Sequence, residues 1–243
     1  MDLPEHDAPR PPWQQRIQVG GFNAFSTVDW PGRLAAVVFL RGCPWRCGYC
    51  HNPELQTRTG PAPIAWDDVE AQLARRRGFI DGVVFSGGEP TADRALPDAI
   101  ARVRELGFAV GLHTGGAYSE RLEALLPQLD WVGFDLKTDP AEYETVTGVR
   151  GSGARAWASA KALVAAGVAH EFRLTYHGAL VSPAAAQRVA QLAAHLGVED
   201  FALQAFRAEG CGQDWLMREA ALPAALVSRI EPLFPRFKLR SAS

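Results

Sequence analysis

Three cysteines fall within eight residues of this chain, in the run Arg41-Gly42-Cys43-Pro44-Trp45-Arg46-Cys47-Gly48-Tyr49-Cys50-His51-Asn52-Pro53. Their spacing is Cys-x3-Cys-x2-Cys. Three thiolates in one short loop can hold three corners of a cubane iron–sulfur cluster. The fourth iron is then left without a protein ligand. An open iron on a redox-active cluster can bind and reduce a small molecule, so the loop points to an enzyme.

Shorter readings of the same loop account for less of it. Cys47-Gly48-Tyr49-Cys50-His51 also fits the haem-attachment pattern Cys-x-x-Cys-His. That use requires export, the chain shows no signal peptide, and Cys43 is left over. A zinc site from the three cysteines and His51 is chemically possible, but zinc ligands usually come as two separated pairs, and adjacent Cys50 and His51 point apart. A thioredoxin-type redox pair again ignores Cys43. The fourth cysteine, Cys211, stands alone. One thiol is too few for an auxiliary cluster, so one cluster per chain is expected and Cys211 reads as structural.

The elements that must position this loop are legible as an alternation. Short apolar runs occur at 34–40, 82–85, 108–112, 131–134, 172–176 and 201–206. Most are continuously apolar, as in parallel strands covered on both faces. Helical segments fall between them. Pro97 opens one and Gly107 closes it, Ser182-Pro183 starts another that ends before Gly197, and Pro223 starts a late one. Six strand–helix units imply a parallel α/β sheet. Periodicity alone leaves a partial barrel and a doubly wound open sheet both standing.

In parallel α/β folds, ligand chemistry gathers at the carboxyl ends of the strands. The unusual polar residues fall there. The cysteines follow the first run and Ser86-Gly87-Gly88-Glu89-Pro90 the second. His113-Thr114-Gly115-Gly116 follow the third, and Asp135 and Lys137 the fourth. Arg173, Thr175 and His177 lie along and after the fifth, and Gln204 and Arg207 end the sixth. This agreement argues for one shared site.

The chain has 243 residues, with 25 Lys and Arg against 27 Asp and Glu. The near-neutral balance gives no sign of nucleic-acid or membrane binding, and no apolar run approaches the ~20 residues of a membrane helix. Pro4, Pro9, Pro11 and Pro12 mark residues 1–15 as a flexible tail, with 16–243 as a single domain. A cytoplasmic protein is expected, in which clustered cysteines are metal ligands or redox groups rather than disulfides.

The cysteine spacing, with Tyr49 just before the last cysteine, resembles the signature of the radical S-adenosylmethionine (radical SAM) enzymes. Ser86-Gly87-Gly88-Glu89-Pro90 looks like that family's second motif, which contacts the methionyl amino group of SAM. A narrower resemblance spans nearly the whole chain. Phe25–Gly32, Arg41-Gly42-Cys43, Tyr49–Pro53, Phe85–Pro90, Asp135-Leu136-Lys137 and Val146–Val149 look like the glycyl-radical-enzyme activases. With Leu112-His113-Thr114 and Glu171-Phe172-Arg173, the chain is most similar to activating proteins of anaerobic ribonucleoside-triphosphate reductases.

The resemblance implies a partial (β/α)6 TIM-like barrel, one [4Fe–4S] cluster on Cys43, Cys47 and Cys50, and SAM. Reductive cleavage of SAM would yield methionine and a 5′-deoxyadenosyl radical, which takes a hydrogen from a glycine Cα of a partner enzyme. The implied partner is an anaerobic ribonucleotide reductase, with a low-potential donor such as flavodoxin or ferredoxin.

In the same implied sense, Glu89 suits the cationic amino group of SAM, and Gly87 and Gly88 allow close backbone approach. Thr114, Asp135 and Lys137 would surround its carboxylate and ribose. Tyr49 would contact adenine through its backbone. Arg173 is a further contact to SAM or the cluster edge, and Asp29 lies near the substrate side. Two departures stand out. Pyruvate formate-lyase activases carry an Asp where His113 stands. They also carry a late histidine near SAM where this chain reads Gln204-Ala205-Phe206-Arg207. Alternatives are activation of another glycyl radical enzyme such as pyruvate formate-lyase, a radical SAM reaction on a small molecule as in deazapurine biosynthesis, and a plain electron-transfer module. An electron carrier has no need of an open iron or of Ser86–Glu89.

Overall fold

The computed structural model describes residues 12–211, 216 and 221–241. Eight strands form one sheet in sequential order: β1 (Val19–Ser26), β2 (Ala35–Leu40), β3 (Gly82–Gly87), β4 (Ala109–Thr114), β5 (Trp131–Leu136), β6 (His170–Tyr176), β7 (Asp200–Ala205) and β8 (Arg236–Arg240). Strands β2 to β8 are parallel, and β1 runs antiparallel to β2. β1 and β8 do not pair with each other, so the partial barrel stays open.

The six runs read from the sequence are β2 to β7. Two strands were not anticipated. β1 reads Val-Gly-Gly-Phe-Asn-Ala-Phe-Ser, and its glycines and asparagine dilute the β signal. β8 reads Arg-Phe-Lys-Leu-Arg, whose charges suit an edge strand.

The helices are α1 (Trp13–Arg16), α2 (Trp66–Ala74), α3 (Leu96–Glu105), α4 (Ser119–Leu125), α5 (Tyr143–Thr147), α6 (Ser152–Ala166), α7 (Pro183–Leu196) and α8 (Ala224–Ile230). The expected punctuation is present. Pro97 sits in the first turn of α3. The Ser182 hydroxyl accepts the Ala185 N–H at 3.1 Å to cap α7. Gly197 closes α7 in the left-handed conformation. The tail expected over 1–15 falls largely outside the described residues, but its last part is corrected. Trp13–Arg16 is helical because the Trp13 ring packs edge-on against Trp66 at 5.1 Å. No helix among the described residues is long and apolar enough to cross a membrane.

The two faces of the sheet differ. Residues facing the helices, among them Phe85, Leu112, Phe134, Phe172 and Phe201, belong to the main core and are buried. The other face is not the continuous apolar surface expected from the sequence. It presents small and polar groups: Gly111 and His113, Gly133 and Asp135, Arg173 and Thr175, Gln204. Only its amino-terminal part is apolar, in a separate cluster of Trp30, Ala35, Val37, Val84 and Trp131. Trp30, from the β1–β2 connection, stacks on Trp131 at 5.6 Å. A Cβ on Gly82 or Gly111 would approach the Trp30 ring to 2.8 or 3.0 Å, so glycine at both strands admits the indole. The turn closed by Arg33 N–H on Trp30 O thus carries a plug, Trp30, that floors the interior.

Candidate active site

Above that floor, the carboxyl ends of the strands open on a cleft of about 720 Å³, lined by the three cysteines and by Asp29, Tyr49, Gly87, Gly88, Glu89, Thr114, Asp135, Lys137 and Arg173, while His177, also noted at a strand end, is buried outside it. A cavity of about 770 Å³ among α1, α2 and α3 is bordered by Trp13, Glu70 and Arg102 and carries no cysteine. The groups able to do redox chemistry are in the first.

The cysteine loop is tethered by backbone. The Gly42 and Cys43 N–H groups donate to the Leu55 and Gln56 carbonyls at 2.7 and 3.0 Å. Arg46 N–H donates to Thr147 O at 2.8 Å, and Gly48 N–H to Val146 O at 3.3 Å. The Arg46 guanidinium reaches back to the carbonyls of Cys43 and Trp45. Within this frame Cys43, Cys47 and Cys50 are free thiols, partly exposed to the cleft.

Burial pushes the Cys43 thiol up to about 12, with Glu89 and Cys47 adding to the rise. Cys47 is raised chiefly by burial as well. Such thiols are neutral on their own and become ligands when a bound cation displaces their protons. Among the described residues, no three His, Cys, Asp or Glu side chains converge on one ion position. The His51 ring is engaged elsewhere, with Nε2 on the Arg207 carbonyl. Three free thiols of one loop facing one cleft suit a cluster, in which each cysteine holds a different iron.

Glu89 is 2% exposed and already bonded. One carboxylate oxygen accepts from the Thr91 hydroxyl at 2.6 Å, the Thr91 N–H at 3.1 Å and the Thr114 hydroxyl at 2.7 Å. The other accepts from Gly115 N–H at 3.0 Å. The backbone before it is pressed onto the cysteine loop: Gly88 N–H donates to Leu40 O at 2.9 Å and Glu89 N–H to Gly42 O at 2.8 Å. Gly87 has φ +111°, and a Cβ there would lie 2.4 Å from Leu40 O. A Cβ on Gly88 would lie 2.6 Å from Gly42 O. These glycines permit the close approach of two loops of the chain itself. The Thr114 hydroxyl likewise serves the interior of the site, donating to Glu89 and accepting from Gly116 N–H at 2.9 Å.

Lys137 lies 3.9 Å from the Asp135 carboxylate, with its ammonium 5.5 Å from the centre of the Tyr49 ring. The Tyr49 hydroxyl is buried and has no hydrogen-bond partner in the protein. Arg173 donates to Glu171 at 3.1 Å and lies over the Trp131 ring at 5.2 Å. Lys238 and Arg240 converge on the same buried carboxylate at 2.7 Å each. Arg173 is thus held in an ion-pair network while lining the cleft. Asp29 accepts the Ser26 hydroxyl at 2.5 Å, and its carbonyl lies 2.7 Å from His113 Nε2. Burial and the Arg173 charge hold His113 down to about 4, so its ring is neutral at pH 7. A neutral ring with Nε2 donating to Asp29 O leaves Nδ1 to accept from Ser86 Oγ at 3.4 Å.

Three residues at the cleft were not singled out. Arg240 was invisible because β8 was. Gln204, noted as ending a strand and as part of the 204–207 departure, accepts from Arg240 at 2.9 Å and donates to Thr175 at 3.0 Å. His51 was read with the cysteines; its position right after Cys50 was the available signal.

A parallel sheet with a three-cysteine loop after its first parallel strand and a glycine-rich acidic loop after the next defines the class of protein. The sequence profile of the Radical SAM superfamily matches residues 37–183, and the chain belongs to that superfamily. The family uses a [4Fe–4S] cluster and SAM. The chain is 31% identical over 137 residues to the pyruvate formate-lyase-activating enzyme of Clostridium pasteurianum, covering 54% of this chain and 57% of that one. It is 34% identical over 141 residues to a protein of Methanocaldococcus jannaschii named as a candidate glycyl-radical enzyme activating enzyme, covering 56% of each. The chain therefore spans little more than half the length of these curated relatives. The crystal structure of QueE from Escherichia coli shares the fold, with a TM-score of 0.53 and 18% identity over 97% of this chain and 99% of that one.

Proposed function

We propose that this chain is a radical SAM activase that generates a glycyl radical on a partner enzyme. The observation that carries the reading is the convergence of three free thiols and the buried Glu89 loop in one cleft, with backbone bonds joining the two loops. The named relatives support the activase class.

In this reading Cys43, Cys47 and Cys50 hold a [4Fe–4S] cluster. With SAM bound, the cluster supplies the electron for reductive cleavage and so a hydrogen-abstracting adenosyl radical. The chain's own groups position and shield. Glu89 is fixed by four donors, three on Oε1 and one on Oε2, so Oε2 keeps a lone pair for an ammonium group. Lys137 offers a point charge to a carboxylate, with Asp135 beside it for hydroxyls. The Tyr49 ring, 5.5 Å from the Lys137 ammonium, lines the same cleft. The Trp30–Trp131 floor excludes water from below.

For the partner, an anaerobic ribonucleotide reductase is supported by the sequence resemblance at Leu112-His113-Thr114 and Glu171-Phe172-Arg173. A second reading, activation of a pyruvate formate-lyase, is supported by the Clostridium relative. The electron donor belongs to the same proposal, a flavodoxin- or ferredoxin-like carrier.

The test is anaerobic reconstitution, reduction with SAM present, and quantification of 5′-deoxyadenosine. Each candidate partner is then added and the glycyl doublet sought by electron paramagnetic resonance. Cluster-loaded protein that cleaves no SAM would sink the enzymatic reading. Cleavage with no doublet on either partner would reject activation of those two.

A further inference from the structure

The three cysteines are not held alike. Cys43 and Cys47 lie among residues bonded to 55–56 and to 146–147 by main-chain hydrogen bonds. On the far side of the loop, the Cys50 N–H bonds only locally, to Cys47 O at 3.1 Å. That side is gripped from elsewhere, by the segment 206–211 that leaves β7.

Several contacts make the grip. The His51 ring donates from Nε2 to the Arg207 carbonyl at 2.8 Å. The same ring stacks on Phe206, with centroids 5.4 Å apart and planes inclined by 23°. Gly210 passes against His51, where an added Cβ would lie 2.8 Å from the His51 carbonyl. The Cys211 thiol points to Gly48 O at 3.8 Å. The segment is anchored in turn. Phe206 is fully buried, its N–H donates to Tyr176 O at 3.0 Å, and His177 meets it edge-on at 5.0 Å. Gly48 and His51 bracket Tyr49 and Cys50, so the contacts bear on both sides of the last cysteine.

We propose that His51 is a positioning residue and that its clasp with 206–211 fixes the Cys50 thiolate, governing solvent access to that corner of the cluster. The proposal rests on the cluster assignment given above. At this segment the chain carries a phenylalanine ring and a backbone carbonyl that both engage the histidine of the cysteine loop. The hydrogen bond and the ring stack are separable, because a glutamine places an amide near the same reach as Nε2 and a phenylalanine keeps only the ring.

The experiment uses the cluster-loaded full chain and reads the cluster itself. Loss of its visible absorbance in air and its midpoint potential are measured for the native protein, His51→Ala, His51→Gln and His51→Phe. His51 is exposed apart from its clasp, so these variants are expected to fold, and thermal unfolding of the apoproteins checks it. The clasp predicts cluster loss about tenfold faster in His51→Ala, the size expected for one hydrogen bond and one ring contact. It also predicts a displaced potential, with most of both effects reversed in His51→Gln and part in His51→Phe. His51→Ala matching the native protein in both readouts would overturn the proposal, as would His51→Gln and His51→Phe both behaving like His51→Ala. Failure of the native protein to take up any cluster would instead refute the cluster assignment, and the clasp with it.

Discussion

The two loops that meet in the cleft are prepared to different degrees. The Glu89 loop is finished without a ligand: its carboxylate is buried and bonded to Thr91, Thr114 and Gly115. The cysteine loop has a fixed backbone and unsatisfied chemistry, since burial raises the Cys43 and Cys47 thiols until a bound cation displaces their protons. A carboxylate can be preorganised by the chain alone. A thiolate set cannot, because three like charges crowded in one short loop repel one another until a metal neutralises them. Stability therefore resides in one loop and cofactor dependence in the other.

That contrast can be broken most directly at Cys47. Cys47→Ala is expected to abolish cluster uptake and SAM cleavage while leaving apoprotein unfolding nearly unchanged, whereas Cys211→Ala should keep the cluster. Absorbance after anaerobic reconstitution, with thermal melts, decides it. Equal losses in both variants would give Cys211 a role that its single 3.8 Å contact does not suggest.

Glu89→Gln should behave in the opposite way. Its amide must turn a donor toward Gly115 N–H or toward the Thr91 and Thr114 donors, costing about 1–3 kcal/mol in urea unfolding of the apoprotein. A variant of native stability with impaired SAM binding would mean that the carboxylate serves the ligand alone, and the contrast would fall.

A further test is a pH dependence at His113, between the two loops. Its folded value of about 4 lies below the ordinary 6.5, so the unfolded chain binds the proton more readily. The associated stability is fully present above pH 6.5 and is lost as pH falls toward 4. Urea midpoints across that range should fall less steeply in His113→Asn than in the native protein. An unchanged slope would assign the acid sensitivity to other groups.

Much of this was legible in the sequence because the features were local. Six of the eight strands announced themselves as apolar runs, and the cysteines, Glu89, Thr114, Asp135 and Lys137 fell at their ends. What was missed depends on non-local neighbours. β8 is a strand because β7 offers it an edge, and only then does Arg240 enter the cleft. Gly87 and Gly88 read as room for a ligand, while the structure spends that room on the backbone of residues 40–42. His51 lay in plain view, but its partners are more than 150 residues away. The lodging of Trp30, the space over Gly82 and Gly111, was not legible because strands that follow it assemble that space.

Trp30 has an optical consequence. Two indoles held 5.6 Å apart and inclined by 20° are electronically coupled chromophores. One comes from a connection near the start of the sheet and the other from β5, so the couple exists only after β3 and β4 have been laid between them. The near-ultraviolet dichroism of this pair is thus a built-in clock for assembly of the sheet, readable in the apoprotein and silent in Trp30→Phe.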